Sequence, residues 1–215
     1  MKFSDTTIPG VILIEPDVHR DARGFFLETF HATKYAAAAI PVTFVQDNYS
    51  ASVANTLRGL HMQLRRPQGK LVRVVVGKVW DVAVDVRRGS PSFGQWTAEV
   101  LSADNFKQLY VPPGCAHGFC VLSPMAHIEY KCTELYDPLD ELGIAWDDPA
   151  LAIPWPVSAP LMSERDRSHP RMDAVMHRLP RYQPNSTPSQ SAGVRADGLF
   201  RTETSAWRWS RSGSV

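Results

Sequence analysis

The segment KLVRVVVGKVWDVAVDVR, residues 70–87, is the most strand-like stretch of the chain and decides its fold class. Valines occur at every second position before Gly77, and apolar side chains recur at every second position from Trp80 onward. Asp81 and Asp85 lie on the opposite face of the second run. A period of two is typical of β-strands. The segment therefore predicts two strands that are joined by a turn at Gly77 and Lys78.

Short apolar runs separated by turn residues extend through the rest of the chain. Its 13 glycines and 17 prolines separate short apolar runs, and this pattern favours an all-β fold. Only residues 31–40, which end before Pro41, predict a short helix in the first half. About nine or ten strands with local turns fit a double-sheet jelly roll, and the absence of helical crossovers argues against a parallel sheet. Further strands are predicted at residues 9–15, 21–30, 42–52, 96–102, 107–113, 118–123 and 127–136.

The pattern changes after Tyr136. Residues 163–166, SERD, have the spacing of a capping box at a helix N-terminus, and residues 170–179 predict a short helix. From residue 180 the chain is rich in Ser, Thr, Pro and Arg and lacks apolar periodicity. We therefore predict one jelly-roll domain at 1–179 and a disordered tail at 180–215.

Composition narrows the class of protein. The 215 residues, 44% of them hydrophobic, suit one globular domain. A net charge of +1 gives no bulk attraction to nucleic acid or membranes. Three cysteines without a CxxC motif suggest neither a disulfide framework nor a zinc ribbon, and reduced thiols predict a cytoplasmic protein. There is no apolar signal segment and no run long enough to span a membrane.

His61 is the most informative single residue. It lies in LRGLHMQ close to Arg58, Lys70 and Arg73. A neutral base beside fixed cations suits the removal of a proton next to a carbonyl group on an anionic substrate. The alternative is an imidazole with a purely structural role. Buried cations are costly unless something anionic binds there, which favours the functional interpretation.

A metal site of the cupin type was the second possibility. Its pattern needs HxH, a glutamate and a later histidine, and PPGCAH provides that later histidine as His117. Gln63 stands where the second histidine should be, and two histidines alone make a poor transition-metal site. We therefore predict no metal and no other cofactor.

Other candidates have ordinary structural explanations when taken alone. Tyr130 fits strand packing, and Asp166 fits a helix cap. Arg23 and Glu28 fit a surface ion pair. Three polar residues, Gln46, Asp47 and Asn48, fit turn chemistry.

Long blocks in a fixed order give these residues a context. The chain resembles the dTDP-4-dehydrorhamnose 3,5-epimerase family over residues 3–178. Met62, Cys115 and the tail depart from the family pattern, and the first two affect the expected shape of the pocket. The matching blocks are DARGFFLE, FVQDN, LRGLHMQ, QGKLVRVVVGKVWDVAVDVR, SPSFGQW, PPGCAHGFCVLS, EYKCTELYDP and IAWDDP.

The resemblance implies a cupin-type jelly roll that acts as a homodimer without a metal. Its substrate would be dTDP-4-dehydro-6-deoxy-D-glucose, and its product dTDP-4-dehydro-L-rhamnose. By position, His61 looks like the base, Asp166 like its carboxylate partner, Tyr130 like the acid and Lys70 like the cation near the C4 oxygen. The predicted substrate-binding residues are Arg23, Glu28, Gln46, Asp47, Asn48, Arg58, Lys70, His117, Glu141 and Arg165. In the family, Arg23 and Glu28 would reach across the dimer.

Three alternatives stay open at this point. One is a sister epimerase that inverts only C3 or C5 or serves another deoxysugar. A second is a metal-dependent cupin oxygenase. A third is a non-catalytic module that binds sugar nucleotides.

Overall fold

The computed structural model describes residues 1–41 and 43–183. Within them the chain forms short strands with little helix. The strands are β1 (Lys2–Asp5), β2 (Ile12–Glu15), β3 (Val18–Asp21), β4 (Gly24–Leu27), β5 (Gln46–Val53), β6 (Leu57–Gln63), β7 (Lys70–Val76), β8 (Lys78–Asp85), β9 (Trp96–Ser102), β10 (Gln108–Val111), β11 (Cys115–Val121), β12 (Met125–Cys132) and β13 (Glu141–Gly143). The helices are α1 (Ala32–Ala37), α2 (Glu164–Arg167) and α3 (Met172–Val175), and α3 is followed by a 3₁₀ turn at Met176–Arg178.

Most of the strands form two sheets. One has six strands in the order β1-β2-β10-β7-β12-β5, and the other has five in the order β13-β6-β11-β8-β9. The hairpin of β3 and β4 stands apart as a two-stranded sheet. The predicted all-β, two-sheet fold is confirmed. The predicted number of strands was too low, because β1, β3 and β13 have three or four residues each and lack a clear apolar alternation.

The deciding segment forms β7 and β8, as predicted, but these two strands lie in different sheets. Val72 and Val74 of β7 pack in the core between the sheets. Val82 and Val84 of β8 instead face outward and pack against residues that follow β13, among them Leu151. The segment after β13 therefore covers the outer face of the five-stranded sheet, and the Asp81 face of β8 is turned toward the interior.

The predicted helix start at SERD is confirmed. The Ser163 hydroxyl accepts a hydrogen bond of 3.0 Å from the Asp166 backbone N–H, which caps α2. Beyond residue 179 the chain continues alongside Arg88, which bonds to the backbones of Pro180 and Tyr182. The remainder of the predicted tail, from residue 184, lies outside the described residues.

No helix in the described ranges is long and apolar enough to cross a membrane.

Candidate active site

A cavity of about 300 Å³ opens between the two sheets. Both sheets and the loops at their ends contribute to it. Several of its residues were predicted from the sequence, and they come from five different strands. The lining residues are Gln46, Asn48, His61, Met62, Gln63, Gln68, Lys70, Tyr130, Tyr136 and Glu141.

The six-stranded sheet supplies a phenol and an ammonium group to this cavity. Tyr130 of β12 is paired in register with Asn48 of β5, and Cys132 is paired with both Gln46 and Lys70. Paired residues of neighbouring strands project from the same face of a sheet. One face therefore presents the phenol, the ammonium group and two amides to the cavity.

The five-stranded sheet supplies an imidazole from the opposite side. His61 lies on β6, and its Nε2 is 3.1 Å from Oδ1 of Asp166 on α2. Oδ2 of the same carboxylate accepts a bond of 3.3 Å from the Gly59 backbone N–H. The sequence offered either a helix cap or a partner of His61 for Asp166, and in the structure this residue makes both contacts. Its backbone N–H completes the cap, which leaves the carboxylate free to bind His61.

Gly59 brings the strand close enough for this contact. Its φ is 124°, and a Cβ there would lie 2.5 Å from the Cα of Gly118 on the neighbouring strand. Only glycine tolerates both the backbone angle and the close approach. Gly59, two residues before His61, therefore helps to align its own backbone N–H with the Asp166 carboxylate.

Three further residues surround the imidazole. Oε1 of Glu141 is 3.9 Å from Nε2 of His61, and Arg165 forms an ion pair with the same glutamate. The ring of His169 meets the ring of His61 edge to face, with centroids 5.3 Å apart at an interplanar angle of 83°. The base therefore lies in a partly enclosed, charged environment.

The electrostatics of the site follow from these contacts. Burial alone would raise the pKa of Asp166, but its bonds to His61, Gly59 and Ser163 outweigh burial and hold that pKa at about 2. Burial lowers the pKa of Lys70, and Cys132 and Asp81 oppose this shift. Burial raises the pKa of the Tyr130 phenol, so it retains its proton at neutral pH. The cavity thus combines an ionised carboxylate behind the His61 imidazole with a protonated phenol opposite.

His117, a predicted substrate-binding residue, lies against a buried carboxylate. It is paired in register with His61 on the neighbouring strand. Its Nε2 is 3.0 Å from both carboxylate oxygens of Asp81, which is fully buried. This second imidazole–carboxylate pair does not line the cavity.

Several predicted substrate-binding residues lie outside this cavity. Asp47 precedes Asn48 on β5, faces outward and binds Lys131 at 2.9 Å, and its role in substrate binding stays a prediction. Arg58 donates to Ser52 at 3.1 Å at the edge of the site, near enough to Tyr130 to lower the phenol's pKa against the effect of burial.

Two other predicted residues belong to the separate hairpin region. Arg23 is paired with Asp21 and is 90% exposed. Glu28 is bound to Lys34 at 2.8 Å. Neither lines the cavity of its own chain. Arg73, which stood near His61 in the sequence, points away from the cavity and forms an ion pair with Glu129.

The sequence interpretation missed Gln68, Tyr136, Asp81 and His169. For Asp81 a signal was present, since a carboxylate on a strand otherwise built of apolar residues needs a buried partner. Gln68 and Tyr136 lie in loops, where periodicity gives no direction. His169 is remote in sequence from His61, and only the fold brings the two rings together.

Two groups of residues bear on metal binding. Within the described residues, donor atoms of His61, Asp166 and His169 lie within 4.8 Å of one another, so this trio could hold a cation. At the cupin position, the Gln63 amide donates to the Arg66 and Leu135 carbonyls and accepts from the Asp137 N–H. The residue that replaces the cupin histidine therefore ties loops together.

Comparisons with known proteins show the family of this chain. The sequence model of the dTDP-4-dehydrorhamnose 3,5-epimerase family matches residues 5–174. The dTDP-4-dehydrorhamnose 3,5-epimerase of Pseudomonas aeruginosa is 54% identical over 169 residues, which cover 78% of this chain and 93% of that protein.

Two solved structures are similar along most of their length. The dTDP-6-deoxy-D-glucose-3,5-epimerase of Legionella pneumophila, in complex with dTDP-4-keto-L-rhamnose, has a TM-score of 0.82 and 46% identity, and the match covers 85% of this chain and 98% of that one. ChmJ, a 3'-monoepimerase of Streptomyces bikiniensis in complex with dTDP-quinovose, has a TM-score of 0.78 and 34% identity, with 82% and 92% covered. The chain therefore belongs to the dTDP-4-dehydrorhamnose 3,5-epimerase family of isomerases.

Proposed function

We propose that this protein converts dTDP-4-dehydro-6-deoxy-D-glucose into dTDP-4-dehydro-L-rhamnose by inverting C3 and C5. The observation that carries the proposal is the cavity between the sheets, where His61 with Asp166 lies on one side and Tyr130 with Lys70 on the other. The product leads to dTDP-L-rhamnose for cell-surface polysaccharide such as the lipopolysaccharide O-antigen. The three free, buried cysteines support a cytoplasmic location.

Proton removal is assigned to His61. The 4-keto group acidifies the C3 and C5 protons, because the carbanion formed at either carbon is delocalised as an enolate. A neutral imidazole accepts such a proton near neutral pH. The ionised Asp166 fixes which ring nitrogen carries the hydrogen and stabilises the imidazolium.

Enolate stabilisation is assigned to Lys70. Negative charge develops on the C4 oxygen in the transition state, so a cation directed at that oxygen stabilises the transition state more than the substrate. Burial lowers the pKa of Lys70, and the opposing charge of Asp81 helps to retain the proton. Loss of one such donor typically lowers the rate by about 10²–10³-fold.

Proton return is assigned to Tyr130. Inversion requires that the new proton arrive on the face opposite to the base. Tyr130 and His61 belong to different sheets that enclose the cavity, and the raised pKa of Tyr130 keeps the phenol protonated. In Tyr130→Phe we expect inversion to fall by about 10²-fold, the lower end for a general acid, while C–H exchange continues. Product NMR in D₂O measures both, and inversion at the unaltered rate would remove Tyr130 from the mechanism.

We also propose that the protein is a homodimer in which a second copy of the chain completes the site. Arg23 and Glu28 border the β3–β4 hairpin region, away from the cavity of their own chain. Phe25 and Phe26 of that hairpin are 55% and 71% exposed, and exposed apolar groups of this kind mark interaction surfaces. A homodimer would cover them and bring Arg23 to a neighbouring cavity, where its guanidinium suits a pyrophosphate. Light scattering, with Phe26→Asp as the disrupting variant, tests this.

The decisive experiment is incubation with dTDP-4-dehydro-6-deoxy-D-glucose in D₂O. We expect deuterium at both C3 and C5 and, with a 4-keto reductase, dTDP-L-rhamnose. Deuterium at one carbon alone would identify a single-site epimerase, the class to which ChmJ belongs. Binding of dTDP without exchange would indicate a non-catalytic module. Activity that EDTA abolishes would overturn the proposed metal-free reaction.

A further inference from the structure

The ring of His61 makes a hydrogen bond to Asp166 and packs against the ring of His169. The bond from Nε2 to Asp166 fixes the distance between the two groups. A single bond of this kind still lets the imidazole turn about the N···O line. The edge-to-face contact with His169 opposes that turning, since the two rings are nearly perpendicular at 83° and 5.3 Å.

His169 is held by packing over a glycine. A Cβ on Gly143 would lie 2.2–2.3 Å from three atoms of the His169 ring, so the ring occupies the space that any other residue would fill. Gly143 is paired in register with His61 across β13 and β6. The missing side chain at 143 thus opens the space in which His169 reaches the base.

The chain around His169 is itself anchored. Pro170, the next residue, accepts a bond of 2.8 Å from the Ala145 backbone N–H. The Nδ1 atom of His169 is buried without a hydrogen-bond partner among the described residues, so packing rather than hydrogen bonding fixes the ring. Burial and the nearby His61 lower the pKa of His169, which keeps it neutral and adds no competing charge beside the base.

From this geometry we infer that His169 is a positioning residue, which holds the imidazole of His61 in the orientation needed to take a proton from substrate. The inference rests on the proposed function, since it gives His61 the role of base. His169 itself does not line the cavity. Its contribution should therefore affect the chemical step and leave substrate affinity nearly unchanged.

Three variants separate ring packing from other roles. His169→Ala removes the ring, and we expect kcat to fall about ten-fold or more, because small misplacement of a reacting group costs up to about 10²-fold, with KM within about two-fold. His169→Phe keeps a ring without nitrogens and should restore kcat to within about three-fold. Gly143→Ala forces the ring away and should resemble His169→Ala.

The double variant Gly143→Ala/His169→Ala completes a double-mutant cycle with the two single variants. Once the ring is absent, the methyl group at 143 has nothing to displace, so the two losses should not add. All assays contain EDTA, which separates packing from cation binding by the His61, Asp166 and His169 trio. Wild-type kcat in His169→Ala, additive losses in the double variant, or a failure of His169→Phe to recover activity would each overturn the inference.

A spectroscopic measurement keeps this test independent of the proposed reaction. The Cε1–H resonance of His61 should shift in His169→Ala and return toward its wild-type position in His169→Phe, because it senses the neighbouring ring. If the wild-type protein catalysed no exchange, the proposed function would fail, and the resonance would still report the contact. An unshifted resonance in His169→Ala would overturn the positioning role whatever the activity.

Discussion

Two histidines that lie side by side in the five-stranded sheet each contact a carboxylate, and the two pairs differ in what surrounds them. His61 and Asp166 are 3.1 Å apart, and His117 and Asp81 are 3.0 Å apart. The His61 side chain is 25% exposed toward the cavity, whereas His117 is 10% exposed and its carboxylate is fully buried. The two pairs share their chemistry and differ in their access to the cavity, which is why we propose catalysis for His61 and a structural role for His117.

The two carboxylates also come from different elements, one from a strand of the sheet and one from a helix outside it. Asp81 and His117 lie on adjacent paired strands, so the sheet itself aligns them. Asp166 is 105 residues from His61 and reaches it from a capped helical turn outside the sheet. A pair built within one sheet is rigid and closed, while a pair completed from outside leaves one side of the imidazole open.

The largest effect should come from His61 itself. In His61→Ala and His61→Asn we expect deuterium exchange at C3 and C5 to fall by about 10³-fold or more, near the upper range for general-base catalysis. Binding of dTDP should be nearly unchanged, as measured by calorimetry. The exposed His177 provides a matched control, since His177→Ala should retain full activity. Ordinary turnover in His61→Ala would end its assignment as the base.

Asp166→Asn should have the next largest effect. The amide can bond to His61 but no longer stabilises the imidazolium, so exchange should slow by about 10²–10³-fold, somewhat less than in the triad case. Gly59 and Ser163 keep their partners, so the fold should persist. A variant with the wild-type rate would show that the pair does not act in catalysis.

The same substitution should alter the dependence of stability on pH. The pKa of Asp166 in the folded protein, about 2, lies below its ordinary value of 3.8. Its ionised form therefore stabilises the fold above about pH 4, by about 2 kcal/mol, and this contribution disappears as the pH falls toward 2. In urea unfolding, Asp166→Asn should be less stable than wild type at pH 5, and the difference should close near pH 2. A constant difference would contradict the depressed pKa.

Asp81→Asn tests the pair of His117 and Asp81, which is closed off from the cavity. It removes a buried charge that His117 contacts, so the free energy of unfolding should fall by about 1–3 kcal/mol. The pair does not line the cavity, but the charge of Asp81 helps Lys70 to keep its proton, so kcat should fall, though by less than in Asp166→Asn. Thermal unfolding and deuterium exchange on the same samples separate the two effects. A folded Asp81→Asn protein as slow as Asp166→Asn would show that both pairs serve catalysis.

The smallest effects separate the two faces of β5. Asn48 lines the cavity, and Asn48→Ala should raise KM about ten-fold, the loss expected for one hydrogen bond. Asp47 points outward to Lys131 and is more than half exposed, so Asp47→Ala should leave KM unchanged within two-fold and stability within about 0.5 kcal/mol. Steady-state kinetics of Asn48→Ala and Asp47→Ala measure the two KM values. A raised KM in Asp47→Ala would place it in the site after all, by way of a second copy.

The strands and the helix cap were predictable because their signals are local. Alternation in residues 70–87 and the SERD spacing each act over a few residues, and both were confirmed. The direction of a strand's faces was less predictable. On β8 both faces are buried, so alternation could not reveal that Asp81 points inward and Val82 outward.

The sequence by itself determined the all-β class, the residue types of the site and the family, because these depend on periodicity and on long matching blocks. Only the tertiary structure decided which carboxylate binds which histidine, that Asp47 faces away from the cavity, and that His169 rests on Gly143 against His61. These facts depend on distances between strands and turns far apart in the chain. Such distances are set when the two sheets and the covering C-terminal segment pack together, and no short window of sequence contains them.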